Sequence, residues 1–205
     1  DYLTENYYLL HPSMAGVNLE GIKIRMTARK NWLDQVNAPN LQTLSVDARL
    51  TERSGVGAII FKDENGYNSQ TGVSLTYAHH INFNEDRARM KKPDLFNYGS
   101  INQFSFGLSI GGVQNSLDQT SFDQFNIYGQ QDPLISKINQ SSGYFNMDVG
   151  ASYVNYNYFI HLTFKNILFT PSNIYGDEVY DFSKNYTSFL KYVASFGYLF
   201  FTETP

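Results

Sequence analysis

Four histidines are the first residues to consider as metal ligands or as acid and base groups. His79 and His80 are adjacent in a run of alternating residues, and neighbouring strand residues point to opposite faces, so these two cannot chelate one ion together. We expect an interfacial or lumenal pair instead. His11 precedes a proline and His161 lies within an apolar run, and the sequence shows no partner for either. The histidines therefore predict no metal site.

Two acidic clusters are the next candidates, because carboxylate oxygens bind calcium. The run from Asp63 through Glu64, Asn65 and Gly66 lacks the alternating oxygen ligands and the closing Glu of an EF-hand loop. A turn that carries an Asn-Gly pair explains this run more simply. The second cluster lies in a predicted loop, where we expect it to be solvated, and consists of Asp177, Glu178 and Asp181. We accordingly expect no metal and no cofactor.

No motif of a known catalytic class is present. The sequence contains no nucleophile elbow, phosphate loop or dinucleotide-binding fingerprint, and the absence of Cys excludes disulfides, thiolate metal sites and Cys nucleophiles. A net charge of -4 supplies no basic field for a phosphate backbone, so nucleic acid is not an expected partner. Gly107, Gly111 and Gly112 lie within or at the end of a predicted strand and indicate a bend or close packing. The sequence thus predicts a protein that is not an enzyme.

The elements that carry these residues are strands, because apolar and polar residues alternate with a period of two. The alternating runs cover residues 22–29, 44–51, 55–61, 73–83, 103–110, 145–154, 158–167 and 186–200. Most contain about 9–11 residues, the length of a tilted membrane strand, whereas strands of soluble proteins average about 5–6. No segment approaches the roughly 20 consecutive apolar residues of a membrane helix. The pattern predicts an all-β fold, an antiparallel transmembrane β-barrel of outer-membrane type with about eight visible strands.

The predicted connections differ in length. The long ones cover residues 30–40, 115–142 and 169–185. The connection over residues 62–70 is moderate, and those over 51–54 and 155–157 are short. Long loops at one end of a strand meander and tight turns at the other are typical of outer-membrane barrels. The segment 85–100 breaks this rule, because it is too long for a periplasmic turn.

Aromatic residues, 16 Tyr and 16 Phe, gather near the ends of the predicted strands. An aromatic girdle at each membrane interface is typical of outer-membrane barrels, although Tyr and Phe are also good strand formers in soluble sheets. The predicted girdle residues are Phe83, Phe104, Tyr144, Tyr158, Phe159, Tyr198 and Phe200. A soluble secreted β-sandwich that binds carbohydrate through exposed aromatic residues therefore stays open as an alternative.

Charged residues fall on the polar faces of the first two predicted strands. They are Arg25 and Arg29 in the first run and Asp47 and Arg49 in the second. If the two strands are neighbours, these charges form a lumenal cluster that fills the barrel or grips an inserted partner. In a soluble sheet the same charges would form a solvated outer face.

Two stretches carry a resemblance to a known family. Residues 7–16 end in His-Pro-Ser-Met-Ala-Gly, which is similar to an Asn-Pro-Ala-Tyr-Ala-Gly stretch, with His11 and Met14 where Asn and Tyr are usual. Residues 29–45 contain Arg-Lys-Asn-Trp, then Asn-Ala-Pro and Gln-Thr, which looks like an Arg-x-x-Trp…Gly-Ala-Pro-x-Thr segment. Weaker matches follow in the same order at residues 55–57, 77–78, 104–109, 132–133, 145–150 and 162–166. The chain thus resembles the PorP/SprF-like outer-membrane proteins of the type IX secretion and gliding machinery.

This resemblance implies an integral protein of the bacterial outer membrane with surface-exposed loops and no catalytic activity. The implied partners are outer-membrane lipid, the periplasmic ring and peptidoglycan-linked lipoproteins, and the C-terminal domains of secreted or adhesin cargo that such proteins help to export or anchor. The loop with Trp32 and Pro39 is the candidate partner surface, and a packed loop anchor is its other role. Residues 1–205 are expected to be one domain, truncated at one or both ends, since family members usually continue with further strands. A channel or fatty-acid-type transporter in the same membrane is the alternative function.

Overall fold

Eight antiparallel strands form one sheet in the computed structural model. The structure describes residues 6–17, 21–32, 34–35, 37–83, 102–120, 139–155, 157–168 and 190–198. The strands are β1 (Ile22–Lys30), β2 (Asn40–Thr51), β3 (Ser54–Asn65), β4 (Asn68–Asn82), β5 (Gln103–Asp118), β6 (Asn139–Val154), β7 (Tyr158–Lys165) and β8 (Lys191–Tyr198). Within the described ranges each strand pairs only with its neighbours in sequence. The predicted all-β fold is confirmed, and the sheet has the form of a curled half-barrel.

One face of the sheet is apolar, because the register places apolar residues of successive strands side by side. The cross-strand neighbours on this face include Ile24, Val46, Ala58, Leu75, Ile110 and Met147. Large side chains stand exposed there, with 66% of Leu75 and 70% of Phe196 accessible. Monomeric soluble proteins rarely expose apolar patches above a few hundred Å², so this face, called the outer face below, suits contact with hydrocarbon. None of the helical turns in the described ranges is long and apolar enough to cross a membrane.

The opposite face is concave, as the reach of one short segment shows. Asn6 Oδ1 accepts a hydrogen bond from Arg25 on β1 at 3.5 Å, and His11 Nε2 lies 2.8 Å from Ser195 Oγ on β8. Five residues span at most about 18 Å, whereas seven inter-strand spacings across a flat sheet amount to about 34 Å. This reach agrees with the curled form of the sheet, which bends round residues 6–17, and the polar face that they contact is called the concave face below.

A row of small residues leaves room for this segment on the concave face. Its members, successive cross-strand neighbours, are Gly55, Ala78, Gly107, Gly150 and Thr163. A Cβ atom at Gly107 would overlap the backbone of Pro12 and Ser13. Only a residue without a side chain permits so close an approach of two backbones. The close packing predicted at Gly107 is thus confirmed, whereas Gly112 on the outer face has no such neighbour.

The connection between β3 and β4 is shorter than predicted. The moderate loop expected over residues 62–70 is a two-residue turn, because β3 continues to Asn65 and β4 begins at Asn68. Gly66 has a φ of 65° at the first central position of this turn, where a type II′ hairpin favours Gly. The predicted Asn-Gly turn is therefore confirmed, and the error lies in the length of the flanking strands.

The connection between β5 and β6 is also shorter than predicted. The loop predicted over residues 115–142 is too long at both ends, because β5 continues to Asp118 and β6 begins at Asn139. Apart from Leu117, the ladder here runs through residues that are polar on both faces, so alternation gives no signal. The short turns predicted over residues 51–54 and 155–157 are confirmed. The loops predicted over residues 85–100 and 169–185 lie outside the described residues.

The aromatic girdle predicted at the strand ends is wrong at two positions. Tyr144 lies on the concave face, where Gln70 Nε2 donates to its hydroxyl at 3.4 Å. Phe159 lies there too, with its ring centroid 4.9 Å from that of His161. Alternation explains these errors, because the outward position belongs to the adjacent residue, such as Phe145. The predicted girdle residue outside the described ranges is Phe200.

Candidate functional site on the concave face

The N-terminal segment, residues 6–17, crosses the concave face and returns. On the outgoing limb Asn6 Nδ2 donates to Ser45 Oγ on β2 at 2.9 Å, and Tyr8 OH donates to Thr76 Oγ1 on β4 at 3.0 Å. The segment reverses direction beside β7 and β8 and then runs back to β2. Two 3₁₀ turns make this reversal compact, Tyr7–Leu9 and Pro12–Met14. The segment thus ties together strands from both edges of the sheet.

His11 anchors the far end of the segment. Its Nδ1 lies 2.9 Å from Thr163 Oγ1 and its Nε2 lies 2.8 Å from Ser195 Oγ, while its ring centroid is 5.1 Å from that of His161. Burial, with a smaller effect of the Lys165 ammonium, lowers the pKa of His11 to about 4. His11 is therefore neutral at neutral pH. The sequence shows no partner for His11 because its partners lie 152 and 184 residues away along the chain.

His80 holds the returning limb. Its Nε2 donates to the carbonyl oxygen of Ala15 at 3.0 Å, and the Ser105 hydroxyl lies 2.8 Å from its Nδ1. His79 points the other way and packs against Phe106 on the outer face, with ring centroids 5.4 Å apart. The two adjacent histidines thus face opposite sides of the sheet, as strand alternation predicts.

Three of the four predicted lumenal charges hold the base of the segment. Arg25 Nη1 lies 3.2 Å from Asp47 Oδ1, and the Gly16 amide donates to Asp47 Oδ2 at 3.1 Å. Arg49 Nη1 donates to the Gly16 carbonyl oxygen at 3.1 Å. Arg29 lies apart, exposed, and bonds to a side chain two residues away. These charges grip a segment of their own chain, and a role toward a partner protein stays a prediction.

A band of polar residues continues from this cluster across all eight strands. Its members on β1 to β6 are successive cross-strand neighbours: Lys23, Asp47, Gly57, Thr76, Ser109 and Asp148. Lys165 Nζ on β7 lies 3.9 Å from Asp148 Oδ2, and Lys165 pairs in register with Lys191 on β8. Sequence reasoning did not select Asp148, Lys165 and Lys191. The available signal was their position on the polar face of the last three alternating runs.

A cavity of about 340 Å³ adjoins the polar band and the outgoing limb of the segment. Its wall is apolar where Leu10, Phe61 and Val113 line it, and charged where Asp148, Lys165 and Lys191 line it. Such a mixed wall can hold a ligand that has one apolar part and one charged part.

The loop with Trp32 and Pro39 is braced at its base. The Asn31 amide donates to the Pro39 carbonyl oxygen at 2.9 Å, and the Gly66 amide donates to the Asn37 carbonyl oxygen at 3.1 Å. The Trp32 side chain is 68% exposed and has a φ of 52°, a conformation that is an outlier for a bulky residue. The packed-anchor role therefore does not apply to the Trp32 ring, which is available for contact.

The acidic candidates are not a cation site in the described part of the chain. Glu64 pairs with Lys62 at 2.6 Å and accepts a hydrogen bond from Asn40 at 3.2 Å. Within the ranges that the structure describes, no group of three His, Asp or Glu side chains could hold a metal ion. The second cluster lies outside those ranges and comprises Asp177, Glu178 and Asp181.

One family model covers nearly the whole chain. It is described as the type IX secretion system membrane protein PorP/SprF and matches residues 1–204. No curated protein and no solved structure matches the chain. The matched range includes the N-terminal segment, the Trp32 loop and all eight strands. The chain therefore belongs to the PorP/SprF family of type IX secretion system membrane proteins.

Proposed function

We propose that this chain is an integral outer-membrane subunit of the type IX secretion and gliding apparatus. It has no catalytic activity and helps to export or anchor cargo proteins such as surface adhesins. Family membership supports the assignment to the secretion system. The exposed apolar outer face supports insertion as strands, since a strand ladder satisfies its own backbone hydrogen bonds in lipid.

The docked N-terminal segment is the observation that favours a scaffold over a channel. Residues 6–17 bond to β2, β4, β7 and β8 across the concave face. They therefore occupy space that an open channel or a fatty-acid-type transporter would need for its permeant. A protein whose concave face is crossed by its own chain in this way is expected to act on cargo through its loops and ends.

The proposed orientation follows from the connections. Tight turns of outer-membrane barrels lie on the periplasmic side. Two of the three connections at one end of the sheet are short, β2 to β3 and β6 to β7, whereas at the other end only the β3 to β4 turn is short. The Trp32 loop lies at that other end, which we assign to the cell surface. The periplasmic end would then contact the ring and peptidoglycan-linked lipoproteins of the system.

The Trp32 loop is the proposed contact surface for cargo. An exposed Trp on a braced loop can bury a large apolar area at little cost in conformational entropy, and Trp is enriched among residues that dominate binding energy. The C-terminal domain of a secreted or adhesin cargo is the proposed partner.

Site-specific photo-cross-linking in cells tests both ends at once. A photoreactive residue at Trp32 should capture secreted cargo, whereas one at Arg53, in an exposed turn at the other end, should capture periplasmic components. Comparison of the cross-links from the two positions distinguishes partners on the two sides of the membrane within one protein. Loss of signal on deletion of the cargo gene would confirm the identity of the captured protein.

Two results would overturn the proposal. Recovery of the protein in the soluble fraction after a carbonate wash would remove the membrane location. Steady single-channel conductance in a planar bilayer, with no cross-links from either position, would favour the channel.

A further inference from the structure

Two lysines and a single carboxylate, Asp148, line one end of the cavity on the concave face. Lys165 on β7 and Lys191 on β8 are direct cross-strand neighbours, and opposed like charges destabilise a sheet. Lys165 Nζ lies 3.4 Å from the Leu9 carbonyl oxygen and 3.9 Å from Asp148 Oδ2, both longer than the about 2.7–2.9 Å of a charge-assisted hydrogen bond. Lys191 forms no ion pair within the described ranges. This part of the wall is therefore short of negative charge.

The cavity beside these lysines is large enough for a small ligand. Its volume of about 340 Å³ lies at the lower end of the roughly 300–1,000 Å³ found for small-molecule sites. Asn146 and Asp148 also line it, and Asn146 Nδ2 donates to Asp148 Oδ1 at 3.2 Å. The one carboxylate of this wall is thus engaged by an amide and lies near the Lys165 ammonium, so two ammonium groups face the cavity against a single carboxylate.

Four other polar side chains of the cavity wall are already hydrogen-bonded. Tyr8 OH donates to Thr76 Oγ1 at 3.0 Å, and Thr76 Oγ1 lies 3.0 Å from Ser109 Oγ. Gln70 Nε2 donates to Asn115 Oδ1 at 3.0 Å. The apolar part of the wall includes Leu9, Leu10, Leu41, Ile59, Phe61 and Val113. Away from the lysines the cavity therefore offers an apolar surface with few free hydrogen-bonding groups.

We propose that this cavity binds a single-chain amphiphilic carboxylate of the fatty-acid type. The carboxylate lies between Lys165 and Lys191, and the alkyl chain lies along the apolar wall. A peptide fits less well, because its backbone amides and carbonyls would be buried without partners there. This binding site is independent of the proposed cargo surface at Trp32.

Binding of dodecanoate to the purified full chain tests the proposal. Native mass spectrometry in an octyl polyoxyethylene detergent measures the bound fraction, with dodecanol as the uncharged probe of equal chain length. Lys165→Gln and Lys191→Gln should each weaken dodecanoate binding roughly tenfold or more, since each removes a charge-assisted hydrogen bond. Lys62→Gln, which removes an ammonium that pairs with Glu64 away from the cavity, should leave binding unchanged.

A second variant addresses the apolar wall. Leu41→Trp should reduce dodecanoate binding by filling the cavity, without removing either lysine. Heat-modifiable gel mobility shows that each variant is folded, and the Lys191 variant serves if the Lys165 variant does not fold. Absence of dodecanoate binding, equal binding of dodecanol, or full binding by a folded lysine variant would each overturn the proposal. A tightly co-purifying two-chain phospholipid displaced by Leu41→Trp would overturn it as well.

Discussion

Replacing Gly107 with Ala should release the N-terminal segment from the concave face. The added methyl group would overlap the backbone of Pro12 and Ser13, which must move by about an ångström to reach an ordinary contact of about 3.5 Å. That movement disrupts three hydrogen bonds that His11 and Ser13 make with β6, β7 and β8. At about 1 kcal/mol for each net hydrogen bond, we expect docking to be destabilised by about 2–3 kcal/mol.

Thiol labelling measures this release, because the chain has no native Cys. Met14 lies within the segment and is 2% exposed, so a Cys introduced there reacts only when the segment opens. A change of about 2–3 kcal/mol raises the open population, and hence the labelling rate, by roughly 30- to 150-fold. Gly112→Ala is the matched control, since a Cβ atom at Gly112 meets nothing within 4 Å. Its labelling rate should stay within roughly twofold of the parent.

The comparison requires that both variants remain folded. The strands keep their own ladder when the segment opens, so heat-modifiable gel mobility should persist in both. An unchanged labelling rate in folded Gly107→Ala protein would refute the reasoning. An equal rise in the Gly112→Ala control would refute it too, because the effect would then not depend on contact with the segment.

Three further changes test other parts of the structure. Asp47→Asn should weaken docking by about 1–2 kcal/mol, because it removes a charged acceptor of a segment amide, and the same labelling assay reports it. Because the pKa of His11 is about 4 in the folded chain against an ordinary 6.5, docking should be strongest above pH 6.5 and weaken as the pH falls towards 4. The mobility of a nitroxide at Val17→Cys should rise over that window, and His11→Gln should flatten the response. Deletion of residues 121–137 should preserve heat-modifiable mobility. Deletion of residues 115–142 should reduce it, because it removes four cross-strand pairs between β5 and β6 and three between β4 and β5.

The sheet was predictable from the sequence because the residues of its outer face must all suit the same apolar surroundings. Every second residue of a strand such as β4 must suit hydrocarbon, so Val73, Leu75 and Tyr77 show the pattern directly. Strand ends beyond the apolar band, such as Asn115 to Asp118, carry polar residues on both faces and give no such signal. The length of the ladder was therefore underestimated where it continues past the apolar band.

The concave site was predictable only in part. Arg25, Asp47 and Arg49 stood out because charges are rare on strands that cross a bilayer. The docking of the N-terminal segment left no periodic pattern, since its 3₁₀ turns pair with side chains from distant strands. His11 shows the difficulty, because its partners Thr163 and Ser195 become neighbours only when the sheet curls.

The contact between His11 and Ser195 has a consequence for the order of assembly. Each strand pairs with the strands that precede and follow it in sequence. Hairpins can therefore be added one after another with little loss of chain entropy. The contact between His11 and Ser195 instead closes a loop of 184 residues. It cannot form until β8, which carries Ser195, has joined the sheet. We therefore expect this contact to form last, so that a seated amino-terminal arm marks a molecule whose eight strands have all been laid down.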